Sequence, residues 1–218
     1  MICAALTEDS AEAMSELAAN TECDLVELRL DCLKDACDLS ALSRIRKKKI
    51  MTCMPSWEGG RFEGGEQERI GMLEKALEFA DYATIELNTE DEIRNGFVER
   101  ARGKKVKVIV AHHDFKKTPS PDEIDAIIEK EKQAGADIAK IAFTPRSQED
   151  VLNTLHPLST RKDIPLITIS MGEQGKVTRI LAPLLGSYLT YGFPEGRAQA
   201  APGQLSVGEL KNILGNLR

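Results

Sequence analysis

The 218-residue chain is 42% hydrophobic and 29% charged, with a formal net charge of -6, an ordinary balance for a chain that folds around one core. The acidic excess argues against a nucleic-acid surface, which needs clustered Lys and Arg to displace counterions, and no apolar run approaches the roughly 18 residues of a membrane span. With no basic-then-apolar leader at the N-terminus, the expectation is a cytoplasmic protein with neither nucleic acid nor membrane as a partner.

Ile2 to Leu6 reads as a short buried strand, and Thr7 to Asn20 follows with Met14, Leu17 and Ala18 at helical spacing. The couplet then recurs. Asp24 to Leu30 is a strand followed by a short helix around Leu39, Leu42 and Ile45, and the basic run 44–49 reads as a solvated helix end. Lys49 to Met54 precedes a helix from Glu66 that buries Ile70, Leu73 and Leu77. Tyr82 to Leu87 precedes a helix that Thr89 and Glu92 cap as a box, with Gly103 as its stop.

Val106 to Ala111 is rich in β-branched residues. After it, Ser120-Pro121-Asp122-Glu123 combines a cap, a proline at the first helical position and a glutamate placed to reach back. The strand Asp137 to Phe143 is followed by a helix capped by Ser147 and stopped by Pro157. Pro165 to Ser170 with a helix from Gly175, and Ser187 to Tyr191 with a capped helix Ser206 to Leu217, complete eight couplets. Eight unbroken strand-helix units predict a single-domain α/β protein over residues 1–218, a (β/α)8 TIM barrel. An open doubly wound sheet is the alternative, disfavoured because no Gly-x-Gly-x-x-Gly follows the first strand.

All five cysteines, Cys3, Cys23, Cys32, Cys37 and Cys53, fall in the first quarter without a Cys-x-x-Cys pair. Buried reduced thiols fit this better than a metal site or a disulfide framework. No metal and no organic cofactor is expected.

Reactive groups of a barrel gather at the carboxyl ends of its strands. Lys140 interrupts an apolar strand. Burying an ammonium is costly unless the charge is paired, neutralised or used, and desolvation frees the lone pair for imine formation with a ketone. The alternative is a lysine that snorkels from a strand end. Glu86 ends the fourth strand and His112-His113 ends the fifth, so a carboxylate is expected beside a histidine, orienting it as a general base. Alternation alone leaves open which histidine points inward.

Glu27 and Arg29 share one face of the second strand. They are either a structural ion pair or a ligand contact. The loop Trp57 to Gly65 is glycine-rich and carries Arg61, and the segments Met171 to Arg179 and Gly192 to Gln204 follow strands seven and eight, where barrels hold anions. Together these groups equip the rim for imine chemistry on an anionic ketone.

Seven segments in order, Glu27-Leu28-Arg29, Glu63-Gly64-Gly65-Glu66, Ile85-Glu86-Leu87, His113-Asp114-Phe115 with Lys117-Thr118-Pro119, Ala139-Lys140-Ile141-Ala142, Ser170-Met171-Gly172 and Ala201 to Ser206, resemble the type I 3-dehydroquinate dehydratases of the shikimate pathway. The resemblance implies that Lys140 forms a Schiff base with 3-dehydroquinate and that His113, rather than His112, moves the proton in a syn elimination of water. It implies Glu86 as the group that orients His113 and Arg179 as the grip on the substrate carboxylate. Glu27, Arg29, Arg61 and Gln204 would contact hydroxyls or close over the ligand, and the assembly would be a homodimer. Two departures stand out: Ala200 replaces a serine of some members, and the chain opens on the first strand without the N-terminal hairpin that some members carry. A class I aldolase and a non-catalytic binding barrel are the competing readings.

Overall fold

Period-two alternation decides what each strand offers to the inside of the molecule. The computed structural model describes residues 1–34 and 38–217. Eight strands follow the predicted order: β1 Ile2–Leu6, β2 Leu25–Arg29, β3 Lys48–Thr52, β4 Tyr82–Glu86, β5 Lys107–Asp114, β6 Ile138–Phe143, β7 Leu166–Ser170 and β8 Thr190–Phe193. A two-residue β9, Leu205–Ser206, adds to β8. All ladders are parallel, and the order β7-β6-β5-β4-β3-β2-β1-β8-β9 is that of a barrel opened between β7 and β8. One backbone hydrogen bond, from Tyr188 N to Leu166 O at 2.7 Å, bridges that seam.

The interior confirms the wrap. Cys3, Leu25, Ile50, Tyr82, Ile109, Ile138, Ile167 and Leu189 pack as one cluster, one from each strand or its edge. Such a layer forms when parallel strands curl until their inward residues meet. Outward residues of β1 to β5 pack under the first helices, and those of β6 and β7 under later ones, as two separate apolar layers.

The helices are α1 Ala11–Asn20, α2 Glu66–Ala76, α3 Asp91–Gly103, α4 Pro121–Gln133, α5 Gln148–Leu155, α6 Pro157–Thr160, α7 Gly172–Gly175, α8 Thr178–Leu184 and α9 Val207–Asn216. Ser120 with Glu123 and Ser206 with Glu209 form capping boxes ahead of α4 and α9, as their sequences demand. Ser147 caps α5.

Three local expectations fail. Among the described residues the second couplet has only 3-10 turns, at Leu30–Cys32 and Ser40–Arg44. The box proposed at Thr89 is absent: Glu90 is the N-cap without a side-chain bond, and the Thr89 hydroxyl instead accepts from Arg69. The helix proposed from Gly175 is split into α7 and α8. Cys3 and Cys53 are buried and Cys23 and Cys32 half-buried, all as free thiols, while Cys37 lies outside the described residues. Among the described residues no helix is long and apolar enough to cross a membrane.

Candidate active site

Six strands bring one or two polar groups each into a pocket at the carboxyl rim, with Glu27 and Arg29 from β2, Thr52 from β3, Thr84 and Glu86 from β4, His113 from β5, Lys140 from β6 and Tyr191 from β8. Ile109 and Ile138 face inward below, so the same alternation sends His113 and Lys140 into the pocket and turns His112 outward. The doublet is therefore settled by the phase of the inner layer. In the β5-β6 register His113 stands opposite Ala142, two residues beyond Lys140, and that small neighbour keeps the space in front of the amine open.

The Lys140 side chain is 8% exposed. Its Nζ lies 4.0 Å from Glu27 Oε1 and 4.6 Å above the centre of the Tyr191 ring. A carboxylate and an aromatic face thus share the ammonium charge, which offsets part of its burial. Thr52 donates to Glu27 Oε1 at 3.0 Å. Its hydroxyl is also 3.0 Å from that of Thr84, and since its one proton goes to Glu27, Thr84 donates to Thr52. This relay fixes Glu27 beneath the amine.

The histidine is oriented by a carboxylate, but not by Glu86. His113 Nδ1 is 2.8 Å from Glu58 Oε2, whose residue is 3% exposed. Glu86 instead pairs with Arg69 at 2.5 Å, and the expected Glu86-His113 contact is corrected accordingly. Arg69 is fully buried and spends all five N–H donors on Glu66, Cys53 O, Glu86 and Thr89. Glu86 still lines the pocket, with Oε1 buried and unpartnered among the described residues. Burial pushes its carboxyl up to about 7 against the opposing effect of Arg69.

Glu58 reaches the histidine because the chain after β3 turns back on itself. Ser56–Glu58 is a 3-10 turn, Gly59 follows in the left-handed region at φ 80°, and Phe62 N returns to Met54 O at 3.2 Å. A side chain at Gly59 would also collide with Phe115, whose ring stacks on His113 at 6.3 Å between centroids. Burial pushes the Glu58 carboxyl up to about 7, opposed by His112 and the Asn88 N–H. Burial and the nearby Lys140 charge push the His113 imidazole well down, so the ring is neutral at pH 7. With Glu58 as the acceptor at Nδ1, the lone pair of Nε2 is free.

The anion-holding groups divide. Arg179 on α8 is 2% exposed, has no ion pair among the described residues, and burial lowers its guanidinium to about 10. A buried pocket cation of this kind suits an anionic ligand. Arg29 is committed to Asp31 through two hydrogen bonds of 2.8 and 2.6 Å, which raise its pKa against the effect of burial. Gln204 Oε1 accepts from the Ala200 and Ala201 backbone N–H groups at 2.9 and 3.3 Å, so its amide nitrogen is left for a ligand. Gly203 lets this loop close onto Gly172, whose carbonyl would clash with any Cβ there.

Arg61 does not join the pocket. Its side chain is exposed beside a separate surface depression, and among the described residues only its backbone N–H is tied, to Asp31 Oδ2 at 3.0 Å. The Glu63-Gly64-Gly65-Glu66 segment is likewise outside, with Glu63 exposed and Glu66 bound to Arg69. Sequence reasoning missed Thr52, Thr84 and Tyr191 in the pocket lining, and Glu58, which holds His113 from outside that lining. Among the described residues no three His, Cys, Asp or Glu side chains gather as a metal site would require.

Known proteins resemble this chain along nearly its whole length. The family model of type I 3-dehydroquinase matches residues 2–218. A 3-dehydroquinate dehydratase of Methanosarcina acetivorans is 42% identical over 218 residues, covering 94% of this chain and 89% of that protein. The crystal structure of 3-dehydroquinate dehydratase from Geobacillus kaustophilus superposes with a TM-score of 0.91 at 27% identity, covering 99% of this chain and 90% of that one. The type I enzyme of Clostridium difficile, with covalent modified comenic acid, gives 0.90 at 28% identity over 99% and 91% of the two chains. This chain belongs to the type I 3-dehydroquinase family.

Proposed function

We propose that the protein dehydrates 3-dehydroquinate to 3-dehydroshikimate in aromatic biosynthesis through an imine on Lys140. The observation that carries this reading is the buried amine of β6 facing the same pocket as a neutral histidine held at Nδ1 by Glu58. In the proposed course, Lys140 Nζ attacks the substrate ketone and water leaves as the iminium forms. The iminium acidifies the neighbouring C–H, His113 Nε2 takes that proton, and the electron pair moves into the C–N system as an enamine. His113 then returns the proton to the departing hydroxyl, a second water hydrolyses the imine, and the net change is the loss of one water. Arg179 pairs with the substrate carboxylate, while Glu27, Arg29, Glu86 and Gln204 shape the hydroxyl-facing wall.

Borohydride added with 3-dehydroquinate is expected to leave a reduced adduct on Lys140, read by peptide mass spectrometry. Lys140→Ala is expected to abolish both adduct and turnover. An unmodified Lys140 in the turning-over enzyme would remove the covalent course. The same reading includes a homodimer in the cytoplasm, and sedimentation equilibrium showing only monomer would remove the dimer.

A further inference from the structure

Next to Glu58 lies a polar arm that the reaction as drawn does not use. Asn88 sits on the exposed turn after β4, and its Nδ2 is 3.2 Å from Glu58 Oε1 and 3.3 Å from His112 Nδ1. Glu58 Oε2 is the atom that meets His113, so Asn88 takes the other carboxylate oxygen. The amide orientation follows from chemistry: a carboxylate only accepts, so nitrogen must face it. Its second proton then points at His112 Nδ1, which must accept and so carries its own proton on Nε2. The His112 ring is held edge-to-face against Phe143 at 6.2 Å between centroids.

We propose that Asn88 is a positioning residue: one amide nitrogen bridges Glu58 and His112, and thereby keeps Glu58 ionised and aimed at His113. The proposal rests on His113 as the proton carrier. Asn88 neither reaches the pocket wall nor touches the reacting atoms. Its action is on Glu58. The charged or titratable groups facing that carboxylate are His113 and His112 from β5, Lys140 from β6, Glu86 from β4 and Glu131 from α4 behind the sheet. Burial drives Glu58 toward its neutral form, and Asn88 supplies one of the donors that oppose it. A protonated Glu58 would donate to His113 Nδ1, shift the ring proton to Nε2, and remove the base.

The test is the pH profile of kcat/KM for Asn88→Ala and Asn88→Asp. Losing the donor is expected to move the acid limb up by about one pH unit, and placing a second carboxylate there is expected to move it further. At pH 7, where the wild-type carboxyl is about half ionised, this reads as a roughly fivefold loss in the alanine variant that is recovered by raising the pH. His112→Phe, which keeps a ring against Phe143 but has no acceptor, is expected to give a shift of the same sign. Because Asn88 is exposed, thermal melts are expected to stay at the wild-type value, which separates positioning from folding. Acid limbs coincident with wild type in both Asn88 variants would overturn the proposal. If His113→Ala kept full activity, the parent reading would fail instead; an inactive His113→Ala with unmoved Asn88 limbs would sink the Asn88 role alone.

Discussion

Glu58→Gln tests the corrected orientation of the histidine. In the proposed course His113 becomes an imidazolium when it takes a proton at Nε2, and its Nδ1–H would then face the Glu58 carboxylate 2.8 Å away. Hydrogen bonds to charged groups exceed neutral ones by about 1–2 kcal/mol, and this difference appears only once the ring is charged. Glutamine keeps the shape and removes the charge, so kcat is expected to fall roughly five- to thirtyfold. The pH profile adds a second signature. Burial pushes the Glu58 carboxyl up to about 7, so wild-type kcat/KM is expected to fall as pH drops through about 7, and the glutamine variant is expected to lack that limb and run at a lower plateau. Stability moves the opposite way. A carboxyl whose folded pKa is raised contributes stability that is present below its unfolded value and is lost as pH rises through about 7, so Glu58→Gln is expected to melt higher than wild type at pH 8 and not at pH 4. Turnover can be followed by the ultraviolet absorbance of the conjugated enone product. Wild-type kcat with an unmoved acid limb in Glu58→Gln, together with loss of the limb in Glu86→Gln, would return the orienting role to Glu86.

Two further outcomes follow from buried charge. Arg179→Met removes a cation with no ion pair among the described residues, so KM is expected to rise about tenfold or more while the melting temperature holds or increases; an unchanged KM would refute the carboxylate grip. Glu131 on α4 is fully buried with neither oxygen partnered among the described residues, and burial raises its carboxyl well above the ordinary range. Its cost is smallest below the unfolded pKa of about 4.5 and grows as pH rises. Glu131→Leu is expected to add about 1–3 kcal/mol of stability at pH 7, with the gain narrowing toward pH 4, and a lower melting temperature at pH 7 would refute it.

The barrel and the inward placement of several polar side chains were legible because both depend on strand period. The eight apolar runs gave the couplets, and alternation within them sent Glu27, Arg29, Glu86 and Lys140 to the inner face. Tyr191 obeys the same rule from Leu189 and was available to it. Helix chemistry was legible where it was local, as at Ser120 and Ser206. It failed at Thr89 because a residue 20 positions earlier, Arg69, takes the hydroxyl. A signal for Arg69 existed: it lies four residues before Leu73 on the buried face of α2, and an arginine there requires a buried acceptor.

Glu58 is the instructive case, because no strand period reaches it. It stands on a 3-10 turn outside every ladder, 55 residues from the histidine it holds, and the sequence offers two Glu-Gly-Gly triplets, at 58–60 and 63–65, within one loop. What distinguishes them is the close approach of backbone. The first triplet folds back between the end of β3 and Phe115, where Gly60 comes so close to the Met54 carbonyl that a Cβ could not fit and Gly59 must take a positive φ. In the second, Gly65 has open space and serves only to start α2. The first triplet turns against backbone and delivers its carboxylate to His113, while the second, where Gly64 meets only the side chains of Glu68 and Phe62, leaves Glu63 exposed. Glu86, the strand-end carboxylate that alternation does place correctly, is then bound by Arg69. Two carboxyls are thus raised to about 7, Glu86 in the pocket lining braced by a guanidinium and Glu58 outside it by a histidine and an amide, and of the two only Glu58 touches the ring that would carry the proton in the proposed course.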